Sequence, residues 1–90
     1  MKFMTHYRFR PDARNEVIKR FQETGGTPPS SVEMLGRFHA TSGNEGWVLS
    51  QTDDGRAQTE WIMHWNDHLD FTITPVVDDA EFTEVLQRVF

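Results

Sequence analysis

The chain has no cysteine among its 90 residues. That excludes a disulfide framework, a thiolate zinc site and thiol catalysis, while leaving the redox compartment open, since a cysteine-free chain suits any of them. Long hydrophobic runs are also lacking. Met1-Lys2-Phe3-Met4 leads directly into alternating sequence, with neither a signal-type apolar region nor a membrane-spanning stretch, so a soluble, cytoplasmic protein is expected. Positive charge is in deficit, with 9 Lys and Arg against 14 Asp and Glu and a formal charge of −5. Attraction to phosphate backbones or anionic lipid is therefore unfavourable, and neither nucleic acid nor membrane is an expected partner. Glycine and proline are dense only at Gly25-Gly26-Thr27-Pro28-Pro29, too short to separate domains, and there is no repeat or low-complexity tract. Phosphate-loop and dinucleotide patterns are absent, and Ser30, Ser31 and Ser42 sit in loops without a nucleophile elbow.

Aromatic residues are plentiful: seven Phe, three Trp and one Tyr. Each can bury about 150–250 Å², enough for one core, and a folded chain of this mass exposes on the order of 5,400 Å². One domain over residues 1–90 is expected. Phe3, Thr5, Tyr7 and Phe9 alternate with Met4, His6 and Arg8, the period of a strand. Pro11 suits a first helical position, and Ala13, Val17, Ile18 and Phe21 form an apolar stripe that stops before Gly25. Val32 to Ala40 and Gly46 to Thr52 read as a hairpin. Pairing Phe38 with Leu49 sets Met34, Phe38, Trp47 and Leu49 against the helices, and Leu35, Arg37, His39, Val48, Ser50 and Thr52 on the far face. Thr52-Asp53-Asp54 opens a second helix carrying Ala57, Trp61, Ile62, Trp65 and Leu69 on one arc. Phe71 to Thr74 reads as a fourth strand, and Asp78 with Glu81 forms a capping box ahead of Phe82, Val85, Leu86, Val89 and Phe90 at helical spacing. The order is βαββαβ plus a C-terminal helix: an α+β, ferredoxin-like fold with a four-stranded antiparallel sheet. Two crossover helices cover one sheet face only, so a homodimer stacking sheet on sheet is expected.

The blocks Met1-Lys2-Phe3-Met4, Arg8-Phe9-Arg10-Pro11, Thr24-Gly25-Gly26, Leu35-Gly36-Arg37-Phe38-His39, Glu60-Trp61 through Trp65-Asn66-Asp67 and Phe71 through Thr74-Pro75-Val76 carry a resemblance. The chain resembles the dimeric α/β-barrel superfamily and, within it, the family catalogued as domain of unknown function 3303. The resemblance implies a fold and carries over no catalytic residue. The superfamily includes cofactor-free monooxygenases, haem-degrading enzymes, isomerases and ligand-sensing domains, and fold alone does not choose among them. Haem-degrading members combine a first-strand Asn with a Trp and a helical His. Here Trp47 and His64 are present, but the first strand offers His6 and Tyr7 and no Asn, so haem chemistry is not implied.

His64 and His68 are four apart, the interval that puts two imidazoles on one helical face, with Asp67 and Asp70 close by. Without a third assured ligand the pair is read mainly as structural, and no metal or cofactor is expected. Trp61 and Trp65, one turn apart, are core residues that can also wall an aromatic pocket, with Tyr7 and Phe38 opposite. Arg14 falls within the apolar arc of the first helix, where it snorkels to water or, pointing inward, binds a ligand carboxylate. In the chosen register His6, Arg8, Arg37 and His39 project together into a dimer lumen, as an internally paired network or an anion site. The favoured function is binding of a small aromatic or carboxylated molecule near Tyr7, Arg14, Arg37, His39, Trp61 and Trp65. The alternatives are a cofactor-independent monooxygenase or isomerase with His39 or His64 as base, and an interaction protein without chemistry.

Overall fold

Hydrogen bonding joins four strands and three helices in the computed structural model, which describes residues 1–90. They are β1 (Lys2–Phe9), α1 (Arg14–Thr24), β2 (Glu33–His39), β3 (Glu45–Gln51), α2 (Gly55–Met63), β4 (Leu69–Val76) and α3 (Asp79–Val89). The sheet order is β2-β3-β1-β4 with every neighbouring pair antiparallel, the ferredoxin-like arrangement.

Turn chemistry decides where the helices begin and end. Pro11 does not open α1. The Ala13 amide bonds the Arg10 carbonyl at 3.1 Å and Asp12 sits at φ 65°, so Pro11 and Asp12 are the central residues of a tight turn. Proline favours the first of those positions and a short polar residue tolerates left-handed φ at the second, which leaves the helix to start at Arg14. Gly25, at φ 70°, stops α1 and returns its amide to the Phe21 carbonyl at 2.7 Å. Asp54 caps α2 through the amides of Arg56 and Ala57. That helix ends at Met63, short of the apolar arc expected to reach Leu69. Residues 64–68 form a turn and Leu69 is instead the buried first residue of β4. Pro75 lies inside β4, where it is tolerated because β4 is an edge strand.

The hairpin register differs from expectation by two residues, with Phe38 opposite Trp47 rather than Leu49. A bulge between Met34 and Gly36 absorbs one residue and transfers Met34 to the rung of Ser50. The two face sets otherwise stay unmixed, but the faces are exchanged. Gly46, Val48 and Ser50 are buried beneath the helices with Thr5 and Tyr7, whereas Trp47 and Phe38 are exposed on the open face. Small residues on β3 let the helices approach the sheet, and the bulky ones are left outside.

The core contains Tyr7, Val17, Val48, Ala57, Trp61 and Leu69 among its buried side chains. Helix α3 contributes nothing to it. Its capping box is formed, with the Glu81 amide on Asp78 at 2.8 Å and the Asp78 amide on Glu81 at 3.2 Å. Lys2 Nζ anchors that first turn to β1, at 2.9 Å from Glu81 and 3.4 Å from Asp78. Beyond it Phe82, Val85, Leu86 and Val89 are all exposed, and the molecule measures 50 × 27 × 17 Å. No helix is long and apolar enough to cross a membrane.

Candidate functional site

A cavity of about 320 Å³ lies between the inner sheet face, α1 and α2. Strand alternation sends Thr5, Tyr7 and Phe9 of β1 into it, and pairing with β4 adds Leu69 opposite Phe9 and Phe71 opposite Tyr7. Helical spacing sends Val17, Ile18 and Phe21 down from α1, and Trp61, Ile62 and Trp65 from α2 and the turn after it. Eleven of the 16 lining residues are hydrophobic, so the few polar groups determine how a guest is oriented.

The polar groups gather toward the β2 edge. His39, Gly46, Tyr7 and Phe71 form one rung across all four strands. Because Gly46 has no side chain, Tyr7 Oη and His39 Nδ1 reach each other over it at 2.8 Å. Burial pushes the Tyr7 phenol pKa up, and the nearby Arg37 charge pulls the other way. Arg37 donates to the carbonyls of Gly25 at 3.0 Å and Gly26 at 3.2 Å, just beyond the end of α1. Its guanidinium lies 4.8 Å from the centre of the Phe21 ring. A Cβ on Gly26 would come within 2.8 Å of the same guanidinium, so glycine keeps that seat open.

The outer wall is held by Arg20. It forks onto both Asp67 oxygens at 2.8 and 2.9 Å, takes the His64 carbonyl at 2.7 Å and lies 5.5 Å from the Trp65 ring centre. Satisfying that carbonyl from α1 is what allows α2 to end before Trp65. The Arg20 hydrogen bond holds the Asp67 carboxyl at a pKa of about 2.

Of the residues singled out from sequence, Tyr7, Arg37, His39, Trp61 and Trp65 line this cavity. Four departures stand beside them. Phe38 is on the open face and is no wall. Arg14 is exposed at the start of α1 and bonds its neighbour Asn15 at 3.2 Å instead of pointing inward. His64 is exposed and outside the cavity, and the early end of α2 removes the shared helical face expected for His64 and His68. The cluster of His6, Arg8, Arg37 and His39 is divided between faces, because β1 presents its even-numbered residues outward while β2 presents its odd-numbered ones inward. His6 and Arg8 share Glu45 at 3.2 and 3.4 Å on the open face, where the His6 ring also lies 5.3 Å from Trp47.

Thr5, Phe9, Phe21 and Phe71 also line the cavity, beyond the residues expected there. Thr5 and Phe9 share the alternation that selected Tyr7, and Phe21 belongs to the apolar stripe of α1. Only the pairing of β4 with β1 reveals that Phe71 stands beside Tyr7.

Fold and cavity together define a ferredoxin-like α+β domain with a largely apolar chamber between sheet and helices. The chain belongs to the family described as domain of unknown function (DUF3303), whose profile matches residues 1–90. No curated protein matches it. Among solved structures it is similar to an uncharacterized NIPSNAP domain protein from Burkholderia xenovorans, with 15% identity, a TM-score of 0.46, and coverage of 87% of this chain and 95% of that one.

Proposed function

We propose that this protein binds a small aromatic or carboxylated molecule in the chamber between the sheet and helices α1 and α2, and that it does so as a homodimer. The chamber carries the reading. A largely apolar cleft of about 320 Å³ with a few polar groups at one end has the size and lining of a small-molecule site. The indoles of Trp61 and Trp65 and the ring of Phe71 offer flat surfaces to an aromatic body.

Support for the second copy comes from what the monomer leaves bare. The chain exposes 6416 Å², against about 5,400 Å² for a compact monomer of its mass. The elongated shape, with no residue of α3 buried, accounts for that excess, and a standard interface takes roughly 800 Å² from each partner. Met4, Phe38 and Trp47 on the open sheet face and Phe82, Leu86 and Val89 on α3 are the exposed apolar groups such an interface would cover.

Native mass spectrometry of protein purified without denaturation tests both parts. A dimer with a discrete retained mass is expected. A monomer overturns the dimer, and failure of aromatic acids to quench tryptophan fluorescence in ligand-free protein overturns the binding.

A second reading, a cofactor-independent monooxygenase or isomerase, is favoured by one observation: the bond between Tyr7, inside the chamber, and His39, exposed at its rim. An imidazole at the rim, bonded to a phenol inside, offers a route for a proton between chamber and solvent. His64, outside the chamber, has no part in this reading.

A further inference from the structure

In a chain with 14 carboxylates, the half-buried cations are normally supplied with one. Lys2 holds Glu81 and Asp78, and Arg20 holds Asp67. Arg37, also partly buried, makes no ion pair; its partners are the uncharged carbonyls of Gly25 and Gly26 and the face of Phe21. The other cations without a carboxylate, Arg14, Lys19, Arg56 and Arg88, are all exposed, where water solvates them.

Partly desolvating a cation without a counter-charge is costly, so buried charges are normally paired. The position of Arg37 adds direction. It lines the chamber, and no Asp or Glu lines it alongside. Two of the five guanidinium N–H donors are committed to carbonyls, leaving three, and the bonds together with the Phe21 stack fix the plane of the fork. A fork held in place loses little entropy when it meets a planar carboxylate.

We propose that the chamber selects monocarboxylic acids with an aromatic or bulky apolar body, and that Arg37 is the residue that receives the carboxylate. This rests on the binding reading above and commits it to a charge, an orientation and a specificity residue. Arg37 is on β2 and Phe71 on β4, at opposite edges of the sheet. Three inter-strand steps separate them, about 14 Å. The acid therefore lies across the strands, with its head beside Gly26 and Phe21 and its body running toward Trp61, Trp65 and Phe71. An apolar chamber with a single permanent cation discriminates against amines, which would place like charge beside Arg37, and against neutral amides, which leave its donors without an anionic acceptor.

The test is calorimetric titration of the ligand-free full chain with 1-naphthaleneacetate and the neutral 1-naphthaleneacetamide, which share one ring system. The acid is expected to bind about tenfold more tightly, the scale of a charge-assisted hydrogen-bonded pair. Arg37→Gln, with folding checked by circular dichroism, is expected to erase that ratio. Equal binding of the two probes to the wild type, or an acid advantage that persists in Arg37→Gln, overturns the acid preference and leaves the binding reading standing. Failure of both probes to bind overturns the two together. Should Arg37→Gln not fold, a salt titration of the wild type decides instead. Raising ionic strength from about 0.05 to about 0.5 M should weaken the acid and not the amide, and a salt-insensitive acid overturns the proposal.

Discussion

Tyr7 and His39 are hydrogen-bonded at 2.8 Å although their strands are not neighbours, with β3 lying between them. The contact exists because the intervening residue on that rung is Gly46. A Cβ there would overlap the Tyr7 hydroxyl and the Phe38 carbonyl. One missing side chain thus forms the polar corner of an otherwise apolar chamber.

Gly46→Ala is therefore expected to lose the Tyr7–His39 bond and to destabilise the fold by about 1–3 kcal/mol, the usual cost of overfilling a packed site. Urea denaturation reads the stability. A variant as stable as wild type would mean that Tyr7 moves aside freely and that the rung is not tightly built.

Thr5 tests the same chamber from its floor. Its side chain is buried, at 3% exposure, and its hydroxyl makes no hydrogen bond to another protein group. Replacing an unsatisfied buried hydroxyl by a methyl of similar shape removes a desolvation cost. Thr5→Val should be neutral or stabilising by up to about 1 kcal/mol. A loss of stability would reveal a bound water that the hydroxyl serves.

The clamp between Arg20 and Asp67 predicts a pH dependence. Folding lowers the Asp67 carboxyl from 3.8 to about 2, chiefly through the Arg20 hydrogen bond. A depressed carboxylate contributes stability that is fully present above its unfolded value and is lost as pH falls through the folded one. The contribution should fade between about pH 4 and pH 2. Both partners are partly solvent-screened, which limits it to about 1 kcal/mol or less. Asp67→Asn should flatten that part of the stability profile in acid titration by circular dichroism, and an unchanged slope would show that the fork contributes nothing in solution.

Leu86→Arg on α3 and Phe38→Arg on the open sheet face each place a charge among the exposed apolar groups assigned to the partner copy. If those faces meet in a dimer, each substitution should raise the dissociation constant by orders of magnitude, because an unpaired charge would be buried at the interface. Sedimentation velocity across a concentration series checks it. Dimers that survive both changes would place the interface elsewhere.

Local rules made most of the architecture readable. The alternation of β1, the Gly25 stop, the helix start at Thr52-Asp53-Asp54 and the Asp78–Glu81 box each depend on residues within a few positions of one another, and all four occur as expected, the structure choosing Asp54 as the cap. The site was less legible. Tyr7, Arg37, His39, Trp61 and Trp65 are recognisable by residue type. Their neighbours Phe71 and Gly26 become meaningful only when β4 pairs with β1 and when α1 delivers its last turn beside β2.

The sequence by itself determined a cysteine-free α+β class, its element order and, Met34 apart, the two sets of hairpin residues, because periodicity, turns and caps are short-range. Only the tertiary structure decided which set faces the helices. A strand's period of two separates its faces without labelling them, and the label comes only from packing, which sets Gly46, Val48 and Ser50 beneath the helices and Trp47 on the open face. That choice divided the expected basic cluster, leaving His6 and Arg8 with Glu45 on the open face and turning Arg37 and His39 toward the chamber.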